Sequence, residues 1–301
     1  MTTENASLLE YERRFTASVS YEEIVAYADK VSSLPHAVIQ LLELLDDADA
    51  DARRLVDAVS ADPMLLAALL KLANSTLFAQ AGKVTSAMQA VTTIGYSKLR
   101  SLVLATSLRG VLRRDAVDKL VWEHSIATAM IARKLASTVA PQSAEELFTI
   151  GLLHRLGQFV MLASQETRAA YPAILRQIRE TGADYVTAET EQIGFAHPLI
   201  GALVARRWNF PTQACHVILH YANPVGRIET ATDQKLALIK LSGLIANAAR
   251  LGKPEGHVIE LETIKALTHL LGITHPKLDV ATTLIVDAKA QFREEAHMWP
   301  I

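Results

Sequence analysis

Apolar residues recur every three or four positions along most of this chain, and no segment alternates apolar and polar residues as a half-buried strand does. The periodicity starts near Tyr21, so residues 1–20 are predicted to form a polar N-terminal extension. The sequence contains neither a fixed-period repeat nor a low-complexity segment, which argues against a solenoid. The pattern therefore predicts an all-α fold.

Capping residues divide this pattern into individual helices. Asp62-Pro63 predicts the start of a helix that ends near Ala73, because aspartate caps free amides and proline tolerates the first helical position. Apolar residues cover this helix nearly all round, as is typical of a buried core element. Ser86 and Gly95 similarly bound a shorter helix. Further helices are predicted at about 99–112, 118–139, 144–164, 170–181, 185–193, 197–208, 211–222, 232–251, 258–271 and 276–297.

The size of the chain sets its domain organisation. With 301 residues, of which 50% are hydrophobic, the chain can bury the core of one large domain or two modest ones. A change between two sets of helices falls near residue 115. We therefore predict an N-terminal helical bundle over residues 21–115 and a second helical region over residues 116–301.

The overall charge disfavours general binding to nucleic acids. Lysine and arginine number 30 against 32 acidic residues, so no global positive field attracts polyanions. Arg100, Arg109, Arg113 and Arg114 form a local basic cluster, but cations near the end of a helix also complement its dipole. No helix-turn-helix pair with a polar second helix is recognisable. We expect no general nucleic-acid binding.

The compartment is predicted from cysteine usage and from hydrophobic stretches. The single cysteine, Cys215, excludes an internal disulfide and suits a reducing compartment, although simple packing in a helix explains it equally well. Apolar stretches such as Leu65–Leu70 are far shorter than the roughly 20 residues of a membrane span. No secretory signal is recognisable at the N-terminus. These features predict a cytoplasmic protein that does not enter a membrane.

Several segments share their order and spacing with one known family. They are Leu34-Pro35, Asp62–Leu65, Leu69–Ser75, Thr85-Ser86, Leu99–Leu104, Trp122–Ser125, Gly151–Gly157, Ile193–His197 and Trp208–Pro211. Through them the chain resembles the HDOD family over about residues 20–250. The resemblance implies an all-α fold, in which an N-terminal helical bundle packs on a degenerate HD-like helical domain. It also implies a regulatory role in bacterial signal transduction.

The HD phosphohydrolases related to this family bind divalent metals through a histidine, a His-Asp pair, further histidines and a distal aspartate, which together activate water. In this resemblance His124 matches the first histidine and His154 the histidine of the pair. Arg155 replaces the aspartate of the pair, so a cation stands where an anionic ligand is needed. His197 matches the next histidine.

The remaining ligand positions also depart from the HD pattern. Tyr221-Ala222 stand where a His-His pair is usual, and His220 precedes them by one place. Since one step on a helix rotates a side chain by about 100 degrees, His220 can point elsewhere. Ser242 and Gly243 occupy the region where a distal aspartate is expected. We therefore predict neither a bound metal nor another cofactor.

Two interpretations of Arg155 follow. Its guanidinium can replace the lost metal, so that His124, Arg155 and His197 hold a phosphate or carboxylate ligand. Alternatively, Arg155 forms an internal ion pair with Glu123 or Glu191 and only fixes the helices. The candidate ligand site of the degenerate HD centre comprises His124, His154, Arg155, His197 and His220.

The sequence thus predicts a non-catalytic regulatory protein that binds an unidentified signalling protein or a small ligand, such as a nucleotide or another anion. The alternative is a metal-dependent phosphohydrolase that acts on a nucleotide or a cyclic dinucleotide. The charge of Arg155 distinguishes the two hypotheses, because the alternative requires an anionic ligand at this position. No oligomeric state is predicted.

Overall fold

A computed structural model describes residues 19–31, 36–47, 51–75, 78, 83–113, 115–274 and 279–299. Within these ranges every extended regular element is a helix, which confirms the predicted all-α fold. The α-helices are α1 (Tyr21–Val31), α2 (His36–Asp46), α3 (Ala52–Ser60), α4 (Pro63–Ala73), α5 (Ala87–Ile94), α6 (Tyr96–Val111), α7 (Ala116–Val139), α8 (Ala144–Leu153), α9 (Leu156–Ala163), α10 (Gln165–Arg168), α11 (Tyr171–Thr181), α12 (Tyr185–Ile193), α13 (His197–Arg207), α14 (Thr212–His220), α15 (Ala231–Ala248), α16 (Leu261–Leu270) and α17 (Val280–Glu295).

The chain divides into two compact units. The smaller contains Ser33–Val111 and the residues from Ala290 onwards, and the larger contains Leu112–Lys289 together with α1. The sequence-based division instead kept α1 with the N-terminal bundle, because it followed chain order. In the structure Tyr27 of α1 bonds Thr167 at 2.8 Å, and these side chains belong to the larger unit.

The smaller unit follows its local sequence signals closely. The carboxylate of Asp51 accepts a hydrogen bond from the amide of Arg53 at the start of α3. The hydroxyl of Ser86 accepts one from the amide of Gln89 at the start of α5, which ends at Gly95 as predicted. Apolar residues of α4, including Leu69, are buried in the core. Caps and burial here confirm the predicted helices.

The larger unit is built on the long helix α7, against which α8 and α15 pack. The capping box of Asp115 and Asp118 starts α7. A second layer forms where α9 packs on α13. A Cβ atom at Gly157 of α9 would lie 2.0 Å from the carbonyl oxygen of His197, so only glycine permits this approach. The contact brings the first residue of α13 next to the residues that precede α9.

The predicted helix 144–164 is wrong in one respect, because the structure breaks it into α8 and α9. His154 and Arg155 lie in the break, where the ψ of Arg155 is 25°. The Nδ1 atom of His154 lies 2.6 Å from the carbonyl oxygen of Gly151, which in an unbroken helix would accept the amide proton of Arg155. A side-chain hydrogen bond therefore replaces a helical one at this point.

No single helix among the described residues is long and apolar enough to cross a membrane. The segments Pro141–Ala163 and Gln165–Thr181 meet the length and composition criteria only together, and a bend of 94° separates them.

The close contact at Gly157 gives a first prediction. Substitution Gly157→Ala should lower the free energy of unfolding by about 1–3 kcal/mol, because the new methyl group must displace the backbone of His197. Gly226→Ala is the matched control, since a Cβ atom there meets nothing within 4 Å. Urea denaturation of both variants measures the difference, and equal midpoints would contradict the proposed contact.

Candidate functional site

Four of the five predicted site residues come together in the larger unit. His124 lies on α7, His154 and Arg155 lie in the break between α8 and α9, and His197 begins α13. All four are almost completely buried, with exposed fractions of 1–5%. His124, Arg155 and His197 line a cavity of about 80 Å³, while the ring of His154 lies 5.3 Å from that of His124.

Backbone carbonyls orient two of the histidines. The Nδ1 atom of His124 bonds the carbonyl of Leu251 at 3.3 Å, and that of His154 bonds the carbonyl of Gly151. Because a carbonyl only accepts, each Nδ1 carries the proton and each Nε2 has a lone pair. Burial, reinforced by the charge of Arg155, holds the pKa of both imidazoles well below its usual value. Both rings are therefore neutral near pH 7.

Gly252 brings the loop after α15 against α7, and so places the acceptor for His124. Its φ is +62°, in the left-handed region that favours glycine. A Cβ atom at this position would lie 2.2 Å from the carbonyl oxygen of Leu120 and 2.3 Å from the amide nitrogen of His124. Because Gly252 lies so close to the backbone of α7, the neighbouring carbonyl of Leu251 reaches the imidazole of His124.

The carboxylate of Glu189, which the sequence analysis missed, orients the third histidine. One oxygen accepts from Gln158 at 2.8 Å and from Tyr171 at 3.2 Å. The other accepts from the amide of His197 at 2.9 Å and lies 2.5 Å from its Nδ1. Glu189 is fully buried and lies four residues after the buried Tyr185. The helical spacing could therefore have indicated that Glu189 lies on the buried face of α12.

Tyr221, and not His220, completes the site. The Tyr221 hydroxyl bonds the Nε2 of His197, and its ring packs edge-on 4.8 Å from that of His154. His220 does not line the cavity, and its ring lies 4.2 Å from that of His216. Burial, together with His216, lowers the pKa of His220 to about 4. The structure therefore does not bring His220 to this cavity with the other four predicted residues, because one helical step turns it away.

Among the described residues, no carboxylate forms an ion pair with the buried guanidinium of Arg155. Its guanidinium carbon lies 5.0 Å from the centre of the Tyr185 ring, a cation–π contact. In the part of the chain that the structure describes, its Nε and Nη1 atoms have no hydrogen-bond partner. The expected ion pair with Glu123 or Glu191 does not form among these residues, and Glu191 instead accepts from Gln177 at 2.6 Å. Burial of an unpaired ion costs roughly several kcal/mol.

These residues do not fit the divalent metal of an HD hydrolase. The described ranges contain no group of three His, Cys, Asp or Glu side chains that could hold a metal ion. The carboxylate of Glu189 is not available as a metal ligand, because each of its oxygens already accepts hydrogen bonds from two donors. At the distal position, Ser242 donates to the carbonyl of Leu238 and Gly243 faces His124 without a side chain. Two carboxylates line the cavity, those of Asp184 and Glu260, but both residues are exposed, and neither forms a metal-binding group with the imidazoles among the described residues.

A family model of the HDOD domain matches residues 31–224. The chain belongs to the HDOD domain family. An uncharacterized protein of Treponema pallidum (strain Nichols) is 28% identical over 205 residues, which are 65% of this chain and 39% of that protein. The chain thus spans well under half the length of this curated relative.

Solved structures share the HDOD fold. An HDOD domain protein of unknown function from Geobacter sulfurreducens is 19% identical, with a TM-score of 0.68 over 92% of this chain and 96% of the other. A protein from Shewanella amazonensis SB2B, provisionally named a phosphohydrolase, is 24% identical, with a TM-score of 0.67 over 91% and 96%. A protein from Marinobacter aquaeolei VT8, provisionally named a signal transduction protein, is 23% identical, with a TM-score of 0.69 over 98% and 65%. Identities this low establish only the fold.

The bonds of Glu189 generate a prediction for stability. Substitution Glu189→Ala should lower the free energy of unfolding by about 3–5 kcal/mol, because it leaves three buried side chains without their acceptor. The control Glu191→Ala on the same helix should change it by no more than about 0.5 kcal/mol, since that side chain is exposed. Urea denaturation compares the two variants, and similar losses would contradict the assigned role.

The buried histidines generate a prediction for pH dependence. The pKa values of His124 and His154 are lowered in the folded state, so the unfolded chain binds more protons below pH 6.5. The free energy of unfolding should therefore fall as the pH decreases from 7 to 5, by up to about 1.4 kcal/mol per pH unit for each histidine. Denaturation at several pH values measures this slope. Constant stability across the range would show that these rings are not buried as neutral groups.

Proposed function

We propose that this HDOD protein is a non-catalytic regulatory module of bacterial signal transduction, which acts by binding another molecule and not by hydrolysis. The observation that carries the proposal is the buried guanidinium of Arg155, which directly follows His154 in the chain. By its resemblance to HD phosphohydrolases, this position is that of a metal-binding aspartate. The substitution exchanges an anionic ligand for a permanent cation.

The electrostatic effect of this exchange is large. Two like unit charges 4 Å apart repel by about 4 kcal/mol at an effective dielectric constant of about 20, and a divalent ion roughly doubles this figure. His124 and His154 supply neutral nitrogens that do not offset the repulsion. Activation of water by a metal needs strong binding of that metal. The charge of Arg155 therefore supports a binding role over a hydrolytic one.

The solved relatives are compatible with either role, because their provisional names include both a phosphohydrolase and a signal transduction protein. The local chemistry of this chain supports the binding role. We propose that the bound molecule is a signalling protein or a small anionic ligand, and that the protein works in the bacterial cytoplasm. A general affinity for nucleic acid is not part of the proposal, because the net charge is -2.

Metal analysis and a hydrolysis assay test this proposal. The protein, purified without chelators, should contain less than stoichiometric metal and should not hydrolyse bis(p-nitrophenyl) phosphate in the presence of Mn²⁺. The double variant Arg155→Asp/Gly243→Asp places a carboxylate at the two positions where the HD pattern has an aspartate, and its melting temperature should rise with Mn²⁺.

The unsubstituted protein decides the outcome. Stoichiometric metal together with Mn²⁺-dependent turnover would overturn the non-catalytic function and favour the phosphohydrolase alternative. Turnover that persists in a variant lacking both His124 and His154 would instead reveal a contaminating enzyme.

A further inference from the structure

We infer that the cavity beside Arg155 is a binding site for a compact oxyanion, the phosphate or carboxylate group of a small ligand. The inference rests on the proposed function, because it assigns Arg155 to the ligand in a site that a metal does not fill. It goes further by naming the chemical group that is bound and the atoms that bind it.

The first argument is the hydrogen-bonding state of Arg155. The side chain is 5% exposed, and two of its nitrogens, Nε and Nη1, have no partner among the described residues. A guanidinium forms its strongest hydrogen bonds with carboxylate and phosphate oxygens. The ring of Tyr185 supports one side of the guanidinium but offers no oxygen lone pair in that contact. An oxyanion in the cavity would supply acceptors for Nε and Nη1, to which no described residue offers one.

The second argument is the set of other polar atoms around the same cavity. Tyr185 and Asn247 both line it, and the buried hydroxyl of Tyr185 and the buried Oδ1 atom of Asn247 have no partner within the described ranges. His124, which also lines the cavity, adds an Nε2 lone pair, and this atom would lie 3.7 Å from a Cβ atom at Gly243. A ligand that carries acceptor oxygens and also a hydroxyl proton can pair with these donors and acceptors. Singly protonated phosphate and singly protonated phosphate monoesters carry the two kinds of group.

The third argument is size. The cavity holds about 80 Å³. A single water molecule requires roughly 10–15 Å³ on the same measure, so the cavity accepts a group of about five to eight heavy atoms. Phosphate has five heavy atoms, and a small carboxylate has a similar number. The base and sugar of a nucleotide would have to remain outside.

The fourth argument is the distribution of charge along the cavity. Arg155 is buried, and Lys240 lies on the wall, where its ammonium group donates to the carbonyls of Ala222 and Asn223. Asp184 and Glu260 also line the cavity but are exposed, so their negative charges lie towards solvent. This arrangement attracts one anionic group to the buried end and repels an extended polyanion. It favours a single phosphate or carboxylate over a polyphosphate.

Isothermal titration calorimetry with inorganic phosphate, in a buffer free of other oxyanions, tests the inference. The unsubstituted protein should bind one phosphate. Arg155→Met keeps an unbranched side chain but removes the charge and the donors, and should weaken binding at least tenfold. Arg133→Met is the matched control, because the guanidinium of Arg133 also stacks on an aromatic ring, that of Phe148 at 4.9 Å, but does not line the cavity. This control should bind phosphate normally.

A second variant keeps the test decisive if Arg155→Met does not fold. Gly243→Leu leaves every charge in place and fills the cavity, since a Cβ atom at Gly243 meets only the Nε2 of His124, at 3.7 Å. It should abolish phosphate binding and keep a cooperative melting transition. Titrations with acetate and with adenosine monophosphate then distinguish a carboxylate from a phosphate ester as the preferred source of the oxyanion.

The outcomes separate the two proposals. Absence of binding by phosphate, acetate and adenosine monophosphate at millimolar concentration would overturn the oxyanion site, and so would binding that survives Gly243→Leu unchanged. Either result leaves the non-catalytic function in place, provided that the metal and hydrolysis assays are negative. Stoichiometric metal with turnover would overturn the proposed function and this inference with it.

Discussion

The fully buried carboxylate of Glu189 holds together the helices that surround the site. Its two oxygens join α9, α11 and the first residue of α13 to α12. His197 is thereby fixed in orientation, and through its Nε2 it holds the hydroxyl of Tyr221. Tyr221 in turn packs on His154. A single anionic group thus determines the positions of side chains from segments that are distant in sequence, and the full set of donors compensates for its burial.

The fold was predictable because its signals are local, whereas the site depends on contacts that the sequence does not display. Caps such as Asp51 and Ser86 act on amides two or three residues away, so the sequence reveals them. The break at His154 depends on a side-chain bond to Gly151 and on the close packing of Gly157 against α13. A periodic apolar pattern continues through such a break, which is why one helix was predicted there.

The candidate site shows the same division between local and distant information. Family resemblance identified His124, His154, Arg155 and His197, and the structure brings these side chains together. It did not identify Glu189, which carries no family motif in the segments compared, and the nearby exposed Glu191 was considered instead. His220 was one helical step from the correct face. Backbone carbonyls hold the neutral rings of His124 and His154, and beside them a cation, Arg155, stands where the resemblance to HD hydrolases implies an aspartate.

Gly252 has a consequence for how genetic variation in this chain is interpreted. The residue has no functional group and does not line the cavity, yet its missing side chain allows the loop to lie against α7 beside His124. Any larger residue would push the loop outwards and carry the acceptor of His124 with it. A loss-of-function allele at this position would therefore resemble a substitution in the candidate site, although every polar group of the site is intact. Deep mutational scanning would assign it to the site for a purely geometric reason.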